Sequence, residues 1–307
     1  MDGGIDDALA LILALRSPEL EVAGITAVSG NVPVEQAAIN GLRVVELVNR
    51  PDVWVARGLA NPLIRDPIRA TSFHGSDGLG DSNLPKPTTK PHEKNALDLI
   101  SEEIVSTKSR GLSLIATGPL TNIAALFTKD PDAAKKVDDL VIMGGAYGLT
   151  KYGVGNETPV AEFNIYSDPE AAKIVFESGV SLKAVGLDVT MVPDAQFSPK
   201  EYVRVKQGKS RLAQFAAKIL AKTMGRWRRF ALHDPMAVAV KVRPSLFKFE
   251  KHPVAVETKG EYSRGMTIPD RREWLPKSKL LGQRVSICKN VRSDEFKELL
   301  LNHLLHS

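Results

Sequence analysis

LSLIATGPLTNIAALFTK, residues 112–129, holds a strand, a stop and a helix in one short piece of chain. The apolar run halts at Gly118-Pro119, and LTNIAALFTK (120–129) then reads as a helix. The same alternation extends in both directions. Upstream, VAGIT (22–26) reads as a buried strand and VEQAAINGLRVVELV (34–48) as a helix with Ala37, Ala38, Gly41, Leu42 and Val45 near one face. VWVA (53–56) is strand-like and NALDLISEEIVSTK (95–108) helical. Downstream, DLVIMGG (139–145) is a strand ending in two glycines. DPEAAKIVFESG (168–179) is a helix with an Asp cap, a first-turn Pro and a stop at Gly179, and LKAVGLDVT (182–190) is another strand.

This rhythm predicts an α/β fold, a mostly parallel central sheet flanked by helices. After Pro193 the texture changes. Helices are expected over 199–206, 212–224, 235–240 and 294–305, and strands over 253–258 and 283–288, giving an elaborated C-terminal third. With no linker, repeat or low-complexity tract, residues 1–307 read as a single domain. Residues 60–91, rich in Gly, Pro and Asp, form the one long stretch without regular structure, a candidate binding loop.

The 307 residues are 43% hydrophobic and 25% charged, enough for a sizeable core. Much of the +5 net charge falls on Lys218, Lys222, Arg226, Arg228 and Arg229. No nucleic-acid-binding signature accompanies that cluster, so it reads as a solvated face and no nucleic-acid partner is expected. Cys288 is the single cysteine, which excludes an intrachain disulfide and suits a reducing interior. No run is apolar for the ~20 residues of a membrane span, and no basic-then-apolar leader is present. The expectation is a soluble, cytoplasmic protein with no membrane partner.

In an open parallel sheet, ligands bind beyond the carboxyl ends of the strands. Ser29-Gly30-Asn31, Thr117-Gly118-Pro119 and Gly144-Gly145 all follow predicted strands, so they converge on one rim. The chain opens with MDGGIDDALALILAL, where Asp2, Asp6 and Asp7 crowd before an apolar helix. Such a cluster needs a cation, a shared proton or solvent.

DGGIDDALAL resembles the Asp-rich signature of the inosine–uridine-preferring nucleoside hydrolases, and the agreement continues in register. SGNV (29–32), FHGSDGLG (73–80), ATGPLTNIA (116–124), VIMGG (141–145), GNETPVAEFNIYSDPEAA (155–172), LHDPMAVA (232–239) and VETKGEYSRGMTIPD (256–270) are similar to the family's later motifs. The resemblance spans essentially the whole chain and implies a nucleoside hydrolase-like fold with a Rossmann-like core. It also implies hydrolysis of the N-glycosidic bond of ribonucleosides, purine or pyrimidine, to free base and ribose by a calcium-activated water. A non-catalytic, calcium-dependent ribose- or nucleoside-binding protein is the alternative. A phosphate-dependent phosphorylase would need an anion site, and no Walker-type loop is present.

By the same matching, Asp2, Asp7 and Asp234 with the Thr117 carbonyl are the expected Ca²⁺ ligands. Oxygen donors are what that hard cation takes. Asp2 would also deprotonate the attacking water. Asp6 would hold the ribose 2′-hydroxyl, with Asn31, Asn156, Glu162 and Asn164 on the remaining sugar. Glu162 would face the 5′-hydroxyl and Asn164 the 3′-hydroxyl. Asn164 also counts as catalytic, since oriented amides and carboxylates stabilise an oxocarbenium-like transition state. Met143 would line the floor of the sugar pocket. His233 would protonate the leaving base and His74 would lie against it. His92 and His252 read as surface residues. The resemblance further implies a homodimer or homotetramer.

Two departures from the family pattern stand out. The helix before His233-Asp234 has no tyrosine. Its aromatics are Phe215, Trp227 and Phe230, with Arg226 and Arg229 nearby, so base preference stays open. Relatives also carry a first β-strand before the Asp-rich loop. A central strand is expected there too, so the native product is expected to begin upstream of Met1 with an apolar, β-branched run.

Overall fold

The computed structural model describes residues 1–107 and 111–306. The helices are α1 (Ile5–Arg16), α2 (Val34–Leu47), α3 (Thr71–His74), α4 (Ala96–Ser106), α5 (Thr121–Lys129), α6 (Ala133–Lys136), α7 (Phe163–Ser167), α8 (Pro169–Glu177), α9 (Leu187–Thr190), α10 (Pro199–Gln207), α11 (Arg211–Trp227), α12 (His233–Val242) and α13 (Ser293–Leu305). The strands are β1 (Gly24–Ala27), β2 (Trp54–Arg57), β3 (Leu114–Ala116), β4 (Leu140–Met143), β5 (Leu182–Val185), β6 (Phe247–Val256), β7 (Thr267–Pro269) and β8 (Gln283–Val291). Lys108, the expected end of the helix over 95–108, lies outside the described residues. No helix among the described residues is long and apolar enough to cross a membrane.

The α/β reading holds, with one refinement. The strands form two sheets: β1 pairs in parallel with β2, and a second sheet runs β3-β4-β5-β8-β6-β7. Within the second, β3, β4, β5 and β8 are parallel, while β6 runs antiparallel to both β8 and β7. The C-terminal third therefore extends the parallel sheet with an antiparallel flank.

Strand alternation assigns each face its helices. Leu140 and Ile142 of β4 pack with Ile100 of α4, Leu126 of α5 and Val175 of α8. Val141 and Met143, pointing the other way, join Leu13 of α1, Val238 of α12 and Leu300 of α13. α1 is buried on nearly every side, which explains its unbroken Ala/Leu/Ile composition. Segment 60–91 is irregular except for α3, and its Arg65 ties it to Glu170 at the start of α8.

At the rim opposite the strands' carboxyl ends, Asp139 holds the layers in register. Its carboxylate accepts from Lys183 of β5 at 2.6 Å and Lys241 of α12 at 3.0 Å. Burial alone would raise its pKa, but hydrogen bonds from Lys183, Ser113 and Lys241 outweigh it and hold the carboxyl below the usual range. A depressed folded pKa adds stability above the ordinary aspartate pKa, and that stability is lost as pH falls through the folded value. Asp139→Asn is therefore expected to cost about 3 kcal/mol at neutral pH, with the gap to the parent closing below about pH 4. Urea midpoints measured across that range check both parts.

Candidate functional site

Three helix starts meet at the carboxyl end of the parallel strands. α1 brings Asp6 and Asp7 in its first turn, α12 brings His233 and Asp234, and α7 brings Asn164 behind Glu162. The free N–H groups and dipoles of such ends favour negative charge. Asp2 arrives from the turn before α1, where Gly3 takes φ +85° and lets the chain reverse.

Asp2, Asp6, Asp7 and Asp234 are each no more than 5% exposed. Asp2 accepts from the Asn31 backbone N–H and from its Nδ2, both at 2.8 Å. Asp7 Oδ2 accepts from the N–H of Gly4 at 2.8 Å and of Asp2 at 3.2 Å. Its Oδ1 accepts from the Thr117 hydroxyl at 2.7 Å. The carboxylates are close enough to repel: Asp7 acts on Asp2 and Asp6, and Asp2, Asp6 and Asp7 all act on Asp234. Asp6 Oδ1 is buried with no hydrogen-bond partner.

Among the described residues, no lysine or arginine forms a salt bridge with any of the four. The Met1 ammonium donates to the Thr26 carbonyl and Arg69 to the carbonyls of Ile68 and Gly30. Burial, then mutual repulsion, raises the proton affinity of Asp2 and Asp234, and burial with the nearby Asp7 lifts the Asp6 pKa to about 8. This all-oxygen, cation-poor cluster offers the kind of donors that hard divalent cations take.

The sugar-side candidates gather beside it. Glu162 caps α7, its carboxylate accepting from the N–H groups of Asn164, Ile165 and Gly145. Burial raises its pKa against the pull of those amides. Asn164 Nδ2 donates to the Met143 carbonyl at 3.1 Å and to the Thr117 carbonyl at 3.3 Å, and lies 3.4 Å from the Met143 sulfur. Asn156 differs from the others. It is exposed, and its Oδ1 accepts from the Phe163 N–H, so it orders the turn into α7 from the edge of the site.

His74 is buried, and its Nδ1 accepts from the Ile5 N–H at 3.1 Å. That bond puts the neutral ring's proton on Nε2. His233 Nδ1 lies 2.8 Å from the Thr190 hydroxyl. Burial lowers both histidine pKa values to about 4, and for His233 the neighbouring His74 adds to the shift. His92 and His252, read as surface residues, are half-buried and lie away from this group.

Of the aromatics left open by the sequence, Phe230 is 1% exposed and stacks behind Phe73 at 6.0 Å. Phe73, half-buried and packed against the main core, lies edge-on to His74. Trp227 is exposed beneath Arg226, and Arg229 donates to the Pro193 carbonyl. Sequence reasoning passed over Phe73 despite its place beside His74. It also missed Thr190 and Asn40, whose Nδ2 clamps the carbonyls of Gly3 and Asp77.

Comparison with known proteins points one way. Residues 1–298 match the family described as inosine-uridine preferring nucleoside hydrolase. The pyrimidine-specific ribonucleoside hydrolase RihA of Klebsiella pneumoniae subsp. pneumoniae is 42% identical, covering 99% of this chain and 96% of its own length. RihA of Salmonella agona is 41% identical over 88% of this chain and 86% of its own. Among solved structures, the plant nucleoside hydrolase PpNRh1 superposes with a TM-score of 0.92 at 30% identity, covering 100% of this chain and 98% of its own. The purine-preferring ribonucleoside hydrolase from Gardnerella vaginalis gives 0.88 at 31%, covering 99% and 96%.

Close packing around Asp2 yields a stability test. A Cβ on Gly30 would lie 2.0 Å from Asp2 Oδ2, whereas one on Gly225, in helix α11, would meet nothing within 4 Å. Gly30→Ala is expected to destabilise by about 1–3 kcal/mol. Gly225→Ala is expected to stabilise by up to about 1 kcal/mol. Thermal denaturation of the two variants reads the contrast.

Proposed function

The chain belongs to the inosine–uridine-preferring nucleoside hydrolase family and is a ribonucleoside hydrolase; from that premise we propose a calcium-dependent enzyme that prefers pyrimidine ribonucleosides. The observation that carries the metal is the set of four buried carboxylates that have no lysine or arginine salt-bridge partner among the described residues. Asp2, Asp7 and Asp234, with the Thr117 carbonyl, would hold the ion. When bound, it supplies the positive charge that lets the carboxylates ionise together and lowers the pKa of water.

The chain's own groups do the rest. Asp2, aimed by its two bonds from Asn31, takes the proton of the attacking water. Asp6, whose Oδ1 has no protein partner, accepts the ribose 2′-hydroxyl. Glu162 receives the 5′-hydroxyl, and Asn164, held over the Met143 floor, receives the 3′-hydroxyl. Asn156 contributes from the edge through the α7 turn. Carboxylates facing the sugar favour the positive charge that grows there as the bond breaks. His233, oriented by Thr190, donates to the base as negative charge develops on it, and His74 presents its Nε2–H beside it. Pyrimidine preference is supported by the names of the relatives at 41–42% identity. A cytoplasmic homodimer or homotetramer of single-domain subunits completes the proposal, and light scattering checks the assembly.

The test is free ribose release in phosphate-free buffer from uridine, cytidine, inosine, adenosine and guanosine, with chelator and after calcium is restored. Uridine and cytidine are expected to exceed the purines at least about tenfold in kcat/KM, a discrimination within reach of pocket contacts. Chelator is expected to stop the reaction. Equal rates across the panel would reject the preference, and chelator-insensitive turnover would reject the metal. His233→Ala is expected to slow uridine hydrolysis about 10²-fold or more while sparing a nitrophenyl riboside, whose leaving group needs little help. Equal losses on both substrates would make His233 a structural residue.

A further inference from the structure

The turn that carries Asp2 into α1 is built on two adjacent glycines. A Cβ on Gly3 would lie 2.7 Å from the Ala37 Cα, and one on Gly4 would lie 2.6 Å from Asn31 Nδ2 and 3.0 Å from both Asp6 Oδ1 and the His74 ring. Neither position has room for a side chain, so the Gly3–Gly4 peptide has glycine freedom on both sides. Its N–H, on Gly4, donates to Asp7 Oδ2 at 2.8 Å. A trans peptide sets its C=O and N–H on opposite sides of one plane. Holding the Gly3 carbonyl therefore aims the Gly4 N–H, and a rotation of that plane would turn it away from Asp7.

The hold on the carbonyl comes from Asn40 of α2, which is 1% exposed. Its Nδ2 donates to the Gly3 carbonyl and to the Asp77 carbonyl, both at 2.8 Å. Its Oδ1 accepts from Gln36 Nε2 and Arg43 Nη1, both at 2.9 Å. The amide is thus bonded at both ends, and one way round. Carbonyls can only accept and a guanidinium can only donate, so a flipped amide would lose the bonds to Gly3, Asp77 and Arg43. Arg43 is fixed in turn, since its Nε and Nη2 donate to the Pro85 and Leu84 carbonyls at 3.0 Å each. The loop backbone closes on the same point: a Cβ on Gly78 would lie 2.3 Å from the Gly3 carbonyl oxygen.

We propose that Asn40 is a positioning residue for Asp7. One N–H of its amide locks the Gly3–Gly4 peptide so that the Gly4 N–H stays on the Asp7 carboxylate. The other makes that lock depend on the seating of the 77–85 loop, which Arg43 holds as well. Asn40 acts through the peptide and not on substrate. The inference rests on Asp7 serving as a calcium ligand, because partners behind a metal-binding carboxylate set its orientation.

The test compares the parent with Asn40→Leu, Asn40→Ser and Gln36→Leu, and with Asp139→Asn as a variant weakened far from the site. Amide exchange at Gly4 in calcium-free protein, the calcium dissociation constant, and kcat and KM on uridine are measured well below each melting temperature. Asn40→Leu is expected to speed Gly4 exchange, weaken calcium binding and lower kcat at saturating calcium, each about tenfold or more, with KM much less affected. Asn40→Ser should shift the same quantities in the same direction and carries the test if Asn40→Leu does not fold. Gln36→Leu leaves both donors of Asn40 in place and should stay near the parent. Asp139→Asn should lose stability and change neither Gly4 exchange nor calcium affinity nor kcat. Asn40 variants that behave like Asp139→Asn would overturn the proposal, as would an equal response from Gln36→Leu. A parent that binds no calcium would reject the metal reading by itself, and Gly4 exchange and kcat then decide on Asn40 by the same criteria.

Discussion

Four carboxyl groups, buried and crowded together, impose the condition that the rest of the molecule answers. A lone buried carboxylate is already expensive, and Asp2, Asp6, Asp7 and Asp234 also repel one another. Part of the answer is local. Asp2 and Asp7 take N–H donors from Asn31, Gly4 and Asp2 itself, and three helix starts turn their positive ends toward the cluster. The remainder has to be positive charge from outside the chain, as protons or a cation. The opening of the sequence reflects this division. Asp2, Asp6 and Asp7 carry the charge, and the apolar run behind them lets α1 sink between α12 and α2 so that those carboxylates can be buried at all.

Small residues set the geometry where side chains cannot. The chain passes from the strand-like pairing of Met1 to the first turn of α1 within a few residues, and only Gly3 at φ +85° allows so abrupt a reversal. A Cβ there would also strike the backbone of Ala37. Gly30 and Gly118 let neighbouring loops close on Asp2 from two sides. Asn40 then fixes the Gly3 carbonyl and the loop at Asp77 through one amide, joining the Asp-rich turn to segment 60–91. Backbone proximity and one polar clamp thus do the positioning.

Much of this was legible in the sequence because it is local or periodic. Strand-stop-helix units announce the parallel sheet, and the punctuation at Asn31, Thr117 and Gly144 marks the rim where the buried carboxylates gather. The family resemblance points to the Thr117 carbonyl. The structure adds its hydroxyl, which bonds Asp7, while the carbonyl accepts from Asn164. Thr190 and Asn40 carried no signal, since each acts through a partner dozens of residues away in the chain. The division into two sheets was equally hidden. Strand periodicity says which face a residue takes and nothing about which strand lies beside it.

The sugar side and the base side of the proposed site are built with different stiffness. Glu162, Asn164, Met143 and Asp2 hang on strand ends and helix starts, and each is held by hydrogen bonds at buried atoms. Beside His74, the proposed base-side residue, residues 73–83 meet the end of α11 through the exposed pair Lys222–Asp81 and a 3.5 Å contact from the Thr223 hydroxyl to the Phe73 carbonyl. Asp81 and Asn83 both sit at positive φ without being glycine, so that loop is held by its turns more than by packing. Bond-breaking tolerates little displacement of its carboxylates, whereas a pocket that reads the base can be reshaped at its rim. On the proposed reading, the groups that carry the reaction therefore lie in the rigid half, and those that would choose the base lie in the half where sequence pattern constrains least.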